Sequence, residues 1–339
     1  LRSTAQGASL IRQLEEPPVP NEFDFDRPLL LDGGTGRELL KRGVPILTEI
    51  WSATALDLAP GIVREVHDDF IAAGADIITT NTYGISRERM AREGIEARTV
   101  ELTQIAGRIA AEARDSASRP VAVAGSLPPY SGSYRPDKVG SFDYLMPLYR
   151  EQAAALEPYV DLYICETMSC AAEGLAAATA AVAFGKPVWV SWTLHEDRSG
   201  RLRSGETVAE AVAAIAHLPV AGLLANCCSP ESITAAMPDL VAAAGRGKRV
   251  GGYANTFLPV STDWGAYSKA KHDATDWKSY AAQALPLRDD LPPAAFAGHA
   301  GRWHQCGANV IGGCCGAGPE HIARLRSMLD AAPGQPPSW

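Results

Sequence analysis

One pattern of apolar and polar positions recurs eight times along the chain. A short β-branched apolar run follows a small turn, and an Ala-rich helical stretch follows the run. The runs lie at 28–34, 75–83, 120–129, 160–168, 187–194, 221–228, 249–257 and 308–315. The helical stretches lie at 61–74, 98–117, 142–159, 171–185, 207–219, 230–245, 292–307 and 319–332. Several of them end at Gly or Pro, as helix C-termini do. The runs are nearly continuous in apolar residues, as strands are when helices cover one face and a packed core the other. Eight strands alternating with eight helices predict an α/β fold of one domain, a (β/α)8 TIM barrel. The rival is a doubly wound open sheet with a Gly-rich dinucleotide loop. The segment "DGGTGRELL" (32–40) carries Gly34 and Gly36 but has Leu39 where the third glycine belongs, so it is no cofactor fingerprint.

The barrel is expected over 29–332. Residues 1–28, polar and Pro-rich with no signal-peptide apolar region, read as a flexible N-terminal arm, and 333–339 as a tail. The 339 residues, 46% hydrophobic and 21% charged, suffice for a large core. A net charge of −8 without a Lys/Arg cluster argues against nucleic acid as a partner. No apolar stretch is long enough to span a bilayer, and a cytoplasmic location is the expectation. The count of seven cysteines is odd and argues against a disulfide framework.

In a barrel enzyme the chemistry sits at the C-terminal ends of the strands. Those ends carry Asp32, Asn81, Ser126, Glu166, Thr193, Cys227, Asn255, and Cys314 with Cys315. Adjacent residues have Cα atoms ~3.8 Å apart, too close for a relaxed disulfide. In a regular strand Cys314 and Cys315 would point to opposite faces. They converge only if the strand breaks, and Gly312, Gly313, Gly316 and Gly318 supply that freedom. Two thiolates suit a soft metal, and a catalytic zinc takes three protein ligands and leaves one position open. Cys227, or its neighbour Cys228, supplies the third thiolate from the end of the sixth strand. Cys165, Cys170 and Cys306 read as packing residues.

The motifs "LLLDGGTGRELLKRG", "EIWSATAL", "AGADIITTNTY", "ICETM", "LLANC", "GGYAN" and "IGGCCGAGPEHI" occur in this order. With them the chain resembles the zinc-dependent homocysteine S-methyltransferases, from Leu29 to about Leu329. That family includes the betaine– and S-methylmethionine–homocysteine enzymes and the homocysteine module of cobalamin-dependent methionine synthase. The "WSA" segment looks most like the stand-alone S-methylmethionine branch. The resemblance implies zinc held by Cys227, Cys314 and Cys315, since the family's ligand directly follows the Asn, here Asn226. It implies Asp32 and Glu166 on the amino group of homocysteine, with the backbone near Gly33 helping and Asn81 nearby at the same rim. It also implies Asn255 as a fourth metal ligand when substrate is absent.

The implied reaction moves a methyl group from an onium donor to the zinc-bound thiolate of homocysteine, giving methionine. A small cationic donor wants aromatic faces, and Trp51, Tyr83, Trp192, Tyr253 and Phe257 lie at or just beyond strand ends or in the first loop. No histidine has the D-x-H-x-x-G context of a corrinoid site, so no corrinoid is expected in this chain. Two other readings stand beside this one: the same chemistry on selenocysteine or a small thiol, and a non-catalytic zinc scaffold or subunit of a corrinoid assembly. The segment 258–277 is read as a lid over the rim.

Overall fold

The computed structural model describes residues 27–46, 49–259 and 286–331. The N-terminal arm up to 26, the tail from 332 and nearly all of the expected lid lie outside these residues. Eight parallel strands form one sheet: β1 (Leu29–Leu30), β2 (Ile77–Thr79), β3 (Ala122–Leu127), β4 (Leu162–Met168), β5 (Val188–Trp192), β6 (Gly222–Asn226), β7 (Arg249–Ala254) and β8 (Val310–Gly313). From β2 to β8 each pairs with the next, and β1 pairs with β8. The ring closes between β1 and β2 through the bridge Leu31↔Ile77 and the bonds Asp32 N–H to Ile77 O (3.0 Å) and Asp76 N–H to Leu30 O (2.7 Å). This is a TIM barrel, as the eightfold alternation predicts.

The eight expected helices are all present: α3 (Pro60–Ala72), α5 (Thr99–Asp115), α6 (Phe142–Leu156), α7 (Ala171–Val182), α8 (Val208–Ala214), α9 (Pro230–Ala244), α10 (Pro293–Cys306) and α11 (Pro319–Asp330). Prolines stand at the first turn of α3, α9, α10 and α11, where the missing N–H costs nothing. Thr207 and Glu210 form a capping box at α8. Three further short helices sit in the first two βα connections: α1 (Thr35–Lys41), α2 (Ala55–Leu58) and α4 (Arg87–Arg92). They are too short to register as amphipathic periods, and the sequence pattern missed them.

The core has two layers. Inside the barrel pack Leu29, Leu31, Ile77, Leu162, Ile164, Trp189, Leu224, Tyr253 and Val310. A larger layer fills the space between strands and helices. Trp189 fits inside because its register partner on β6 is Gly222. A Cβ there would lie 2.6 Å from the indole. Large and small side chains thus alternate across the barrel, as tight layers require.

At the N-terminal end of the strands the buried Asp76 gathers charge. It accepts from Arg27 (2.6 and 3.1 Å), Arg326 (3.0 Å) and the N–H of Leu30 (2.9 Å), with Arg119 at 3.6 Å. It therefore ties β1, β2 and α11 together where the ring closes. Asp76→Ala is expected to cost about 2–3 kcal/mol, because the charged bonds are lost while the partly exposed arginines rehydrate. Urea denaturation at fixed pH measures it, and a change below about 0.5 kcal/mol would contradict the role.

Candidate metal centre

The observed strands are shorter than the apolar runs, and the residues just past their ends turn inward. β8 stops at Gly313, and Cys314 and Cys315 form a turn closed by Gly316 at φ +84°. A Cβ on Gly316 would lie 2.2 Å from Thr256 Oγ1, so only glycine fits on both counts. The turn is pinned by Cys314 N–H to Ala254 O (2.8 Å), Thr256 N–H to Cys315 O (2.9 Å) and Ala317 N–H to Cys314 O (3.1 Å). The strand does break at the glycines, and the neighbouring sulfurs no longer diverge.

The third sulfur arrives from β6. Cys227 has φ +52°, a left-handed conformation that costs a non-glycine residue energy and persists only where the surroundings enforce it. The sulfurs of Cys227, Cys314 and Cys315 all lie within 4.8 Å of one another, with Cys227 and Cys315 at 3.8 Å. Among the described residues this is the cluster of His, Cys, Asp or Glu with metal-ligand spacing. Cys228 points the other way and is wholly buried between strands and helices. Cys165 and Cys170 are buried too, but Cys306 is exposed at the end of α10, which corrects its reading as a packing residue.

Contact with Cys314 and Cys315 holds Cys227 well below the usual thiol range, and contact with Cys227 pushes each of those two well above it. Three thiolates at this spacing need a cation, so the donor set fits a soft dication.

The carboxylates sit on the same rim. Asp32 accepts from Thr79 N–H (2.7 Å) and Thr79 Oγ1–H (2.9 Å), which ends β2 four residues before its apolar run does. Glu166 accepts from the Ser126 hydroxyl and from Tyr253 O–H (3.4 Å). Burial pushes both carboxyls up to about 7, and each carboxylate repels the other or Cys227 as a lesser cause. Gly33 lies against the β8 turn: a Cβ there would meet Ala317 O at 2.2 Å. The Asn81 amide donates to Ser52 O (2.9 Å) and so anchors the segment bearing Trp51. Asn255 turns its amide oxygen to the Phe257 N–H (3.2 Å), while its buried Nδ2 has no partner.

The aromatic expectations divide. Trp51 and Phe257 pack with the three cysteines. Tyr83 bonds Ser133 Oγ (2.7 Å) and carries Arg89 over its ring at 5.8 Å. Tyr253 faces the barrel interior beside Glu166. Trp192 does not reach the rim. On β5, Trp189 points inward, so Trp192, three residues on, points outward toward Gly174 of α7. Tyr134 escaped the sequence reading, and Asn226 entered it only as the marker before Cys227. Tyr134, in the loop after β3, lies 3.0 Å from the Cys227 sulfur. Asn226 accepts from Thr167 N–H (2.8 Å) and Ser191 O–H (2.7 Å) and donates to Thr167 Oγ1 (2.8 Å). It thereby locks the residue after Glu166 to the residue before Cys227.

The profile of homocysteine S-methyltransferases matches residues 29–329 of this chain. The chain belongs to the homocysteine S-methyltransferase family. The Escherichia coli (strain K12) homocysteine S-methyltransferase is 31% identical over 328 residues, covering 91% of this chain and 98% of that protein. Homocysteine S-methyltransferase YbgG of Bacillus subtilis (strain 168) is 27% identical, covering 91% and 96%. The metallated form of the homocysteine methyltransferase MmuM from E. coli superposes with a TM-score of 0.72 at 28% identity, covering 90% of this chain and 97% of that one. The oxidized form of MmuM gives the same TM-score at 29% identity. Family membership accords with the resemblance carried by the motifs.

The raised carboxyls have a consequence for stability. A buried acid whose folded pKa exceeds its unfolded value contributes stability that is whole below the unfolded value, near 4.5 for Glu166, and is lost as pH rises through about 7. In the metal-free chain, Glu166→Gln keeps an oxygen acceptor but removes the buried charge. It is expected to be more stable than wild type by about 1–3 kcal/mol at pH 8, with the gap closing toward pH 4.5. Urea midpoints at the two pH values measure this, and an equal offset at both would contradict the assigned cause.

Proposed function

We propose that the protein catalyses methyl transfer from a small cationic onium donor to the sulfur of homocysteine, giving methionine, with zinc held by Cys227, Cys314 and Cys315. The observation that carries this reading is three sulfurs within 4.8 Å of one another at the end of a barrel whose rim also holds two buried carboxyls. A bare scaffold has no use for Asp32 and Glu166 in that position. Zinc in a three-thiolate site supplies a soft acceptor that favours the substrate thiolate and, being electron-rich, leaves its sulfur nucleophilic.

The chain's own residues do the rest. Asp32 and Glu166 receive the ammonium group of homocysteine. Burial makes them reluctant anions, and an arriving ammonium group would favour their ionised form, which favours an amino-acid acceptor over a bare thiol. Thr79 and Ser126 hold the two carboxyls in place. Gly33 lets the β1 loop lie against the β8 turn, so the ammonium site and the sulfur site share one wall. Trp51 and Phe257, packed on the cysteines, offer faces to the donor's positive charge. Transfer is then a displacement in line between donor and sulfur, and the rim's service is alignment. Asn255 sits directly after β7 with a buried, unpartnered Nδ2, and it would be the side chain to fill the fourth position when substrate is absent. Among the described residues, no helix is long and apolar enough to cross a membrane.

Incubation of zinc-loaded protein with homocysteine and S-methylmethionine, glycine betaine, dimethylsulfoniopropionate or S-adenosylmethionine, with methionine measured, tests the reading. At least one of the onium donors is expected to give turnover, and none doing so would refute it. Cys314→Ala and Cys227→Ala are each expected to lose zinc after dialysis, whereas Cys228→Ala retains it. Full metal retention in either of the first two would refute that ligand.

A further inference from the structure

The three cysteines are not held alike. Cys314 and Cys315 are fixed by backbone bonds within the β8 turn, whereas Cys227 sits in a strained conformation and carries a hydroxyl against its sulfur. That hydroxyl belongs to Tyr134, itself buried and left-handed at φ +64°. The Arg203 guanidinium stacks over the Tyr134 ring at 4.8 Å. Arg203 is paired with Glu196 at 3.0 Å, and its side chain is only 2% exposed. The other oxygen of Glu196 accepts from Ser229 N–H at 3.1 Å. Ser229 lies two residues after Cys227 and caps α9. The contacts thus form a closed loop: Cys227 sulfur, Tyr134, Arg203, Glu196, Ser229 and back along the chain to Cys227.

We propose that Tyr134 is a positioning residue that donates its hydroxyl hydrogen to the Cys227 thiolate, held for that purpose by the Arg203–Glu196 brace on the 194–203 hairpin, which the antiparallel bridge Leu194↔Leu202 closes. This rests on the three-thiolate reading above and deepens it. A buried guanidinium is costly unless it is paired, and the ring face beneath it adds attraction. Here the pairing is with Glu196, and what it orients is the ring whose hydroxyl meets the sulfur. A donated hydrogen bond draws charge from one ligand of three. It fixes the direction of that sulfur without adding a fourth ligand, and so leaves one position open. Outer partners of metal ligands commonly govern affinity about 10–100-fold.

The test is the electronic absorption of the full chain loaded with cobalt(II). A hydrogen bond lowers the energy of the sulfur lone pair, so its loss moves sulfur-to-cobalt charge transfer to longer wavelength. Tyr134→Phe is expected to keep wild-type circular dichroism, to show that red shift, and to yield metal to a chelator about tenfold more readily. Arg203→Met keeps the hydroxyl but removes the brace. It is expected to show a smaller shift in the same direction, and it decides the matter if Tyr134→Phe does not fold. A charge-transfer band at the wild-type wavelength in the folded variant overturns the role, whatever the affinity. A wild-type chain without any such band would instead overturn the three-thiolate reading.

Discussion

Three sulfurs within 4.8 Å of one another set the terms for the rest of the structure. As three thiolates they repel, and as thiols they have no reason to be gathered at the mouth of a barrel. The chain pays to bring them there: Cys227 adopts a left-handed backbone, and Gly316 must be glycine for both its φ and its contact with Thr256. Strain of this kind persists where the surrounding fold over-determines it. Here the determinants are the end of β8 pinned to β7, and the Asn226 amide locking β6 to β4 across β5. The barrel's rigidity is thus spent at its C-terminal rim, while Asp76 secures the seam at the opposite end.

The same rim carries a second local cost. Asp32 and Glu166 are buried acids with pKa values raised to about 7, which weakens the metal-free fold above that pH. Both costs make sense together. On the proposed function, a substrate bearing an ammonium group and a thiol would satisfy the two carboxyls with one end and complete the sulfur site with the other. On that reading the rim suits a thiol amino acid, and Trp51 and Phe257, packed on the sulfur trio, would offer aromatic surface to a cationic donor.

Much of this was legible in the sequence because a barrel converts one-dimensional order into a place. Each apolar run ends at the rim, so Asp32, Glu166, Cys227 and the Cys314–Cys315 pair could be collected without knowing a single distance. The Gly-Cys-Cys-Gly spacing also foretold the strand break. Face parity was harder. Trp192 and Trp189 sit on one strand, and only the register against Gly222 shows which points inward. Strand ends were overestimated where side chains replace the ladder, as when Thr80 Oγ1 takes the Ser126 N–H at 3.0 Å. Tyr134, Arg203 and Glu196 were invisible because they reach the site through loops. Their meeting depends on how the 194–203 hairpin folds over the rim, which no periodicity encodes.

The central claim is that these three cysteines bind one zinc and leave one place for the sulfur of the substrate. Zinc K-edge X-ray absorption on the zinc-loaded chain tests it most directly. The account predicts three sulfurs at about 2.3 Å with one lighter neighbour, changing to four sulfurs when homocysteine is added. A shell dominated by nitrogen or oxygen, or a sulfur count that homocysteine leaves unchanged, would contradict it.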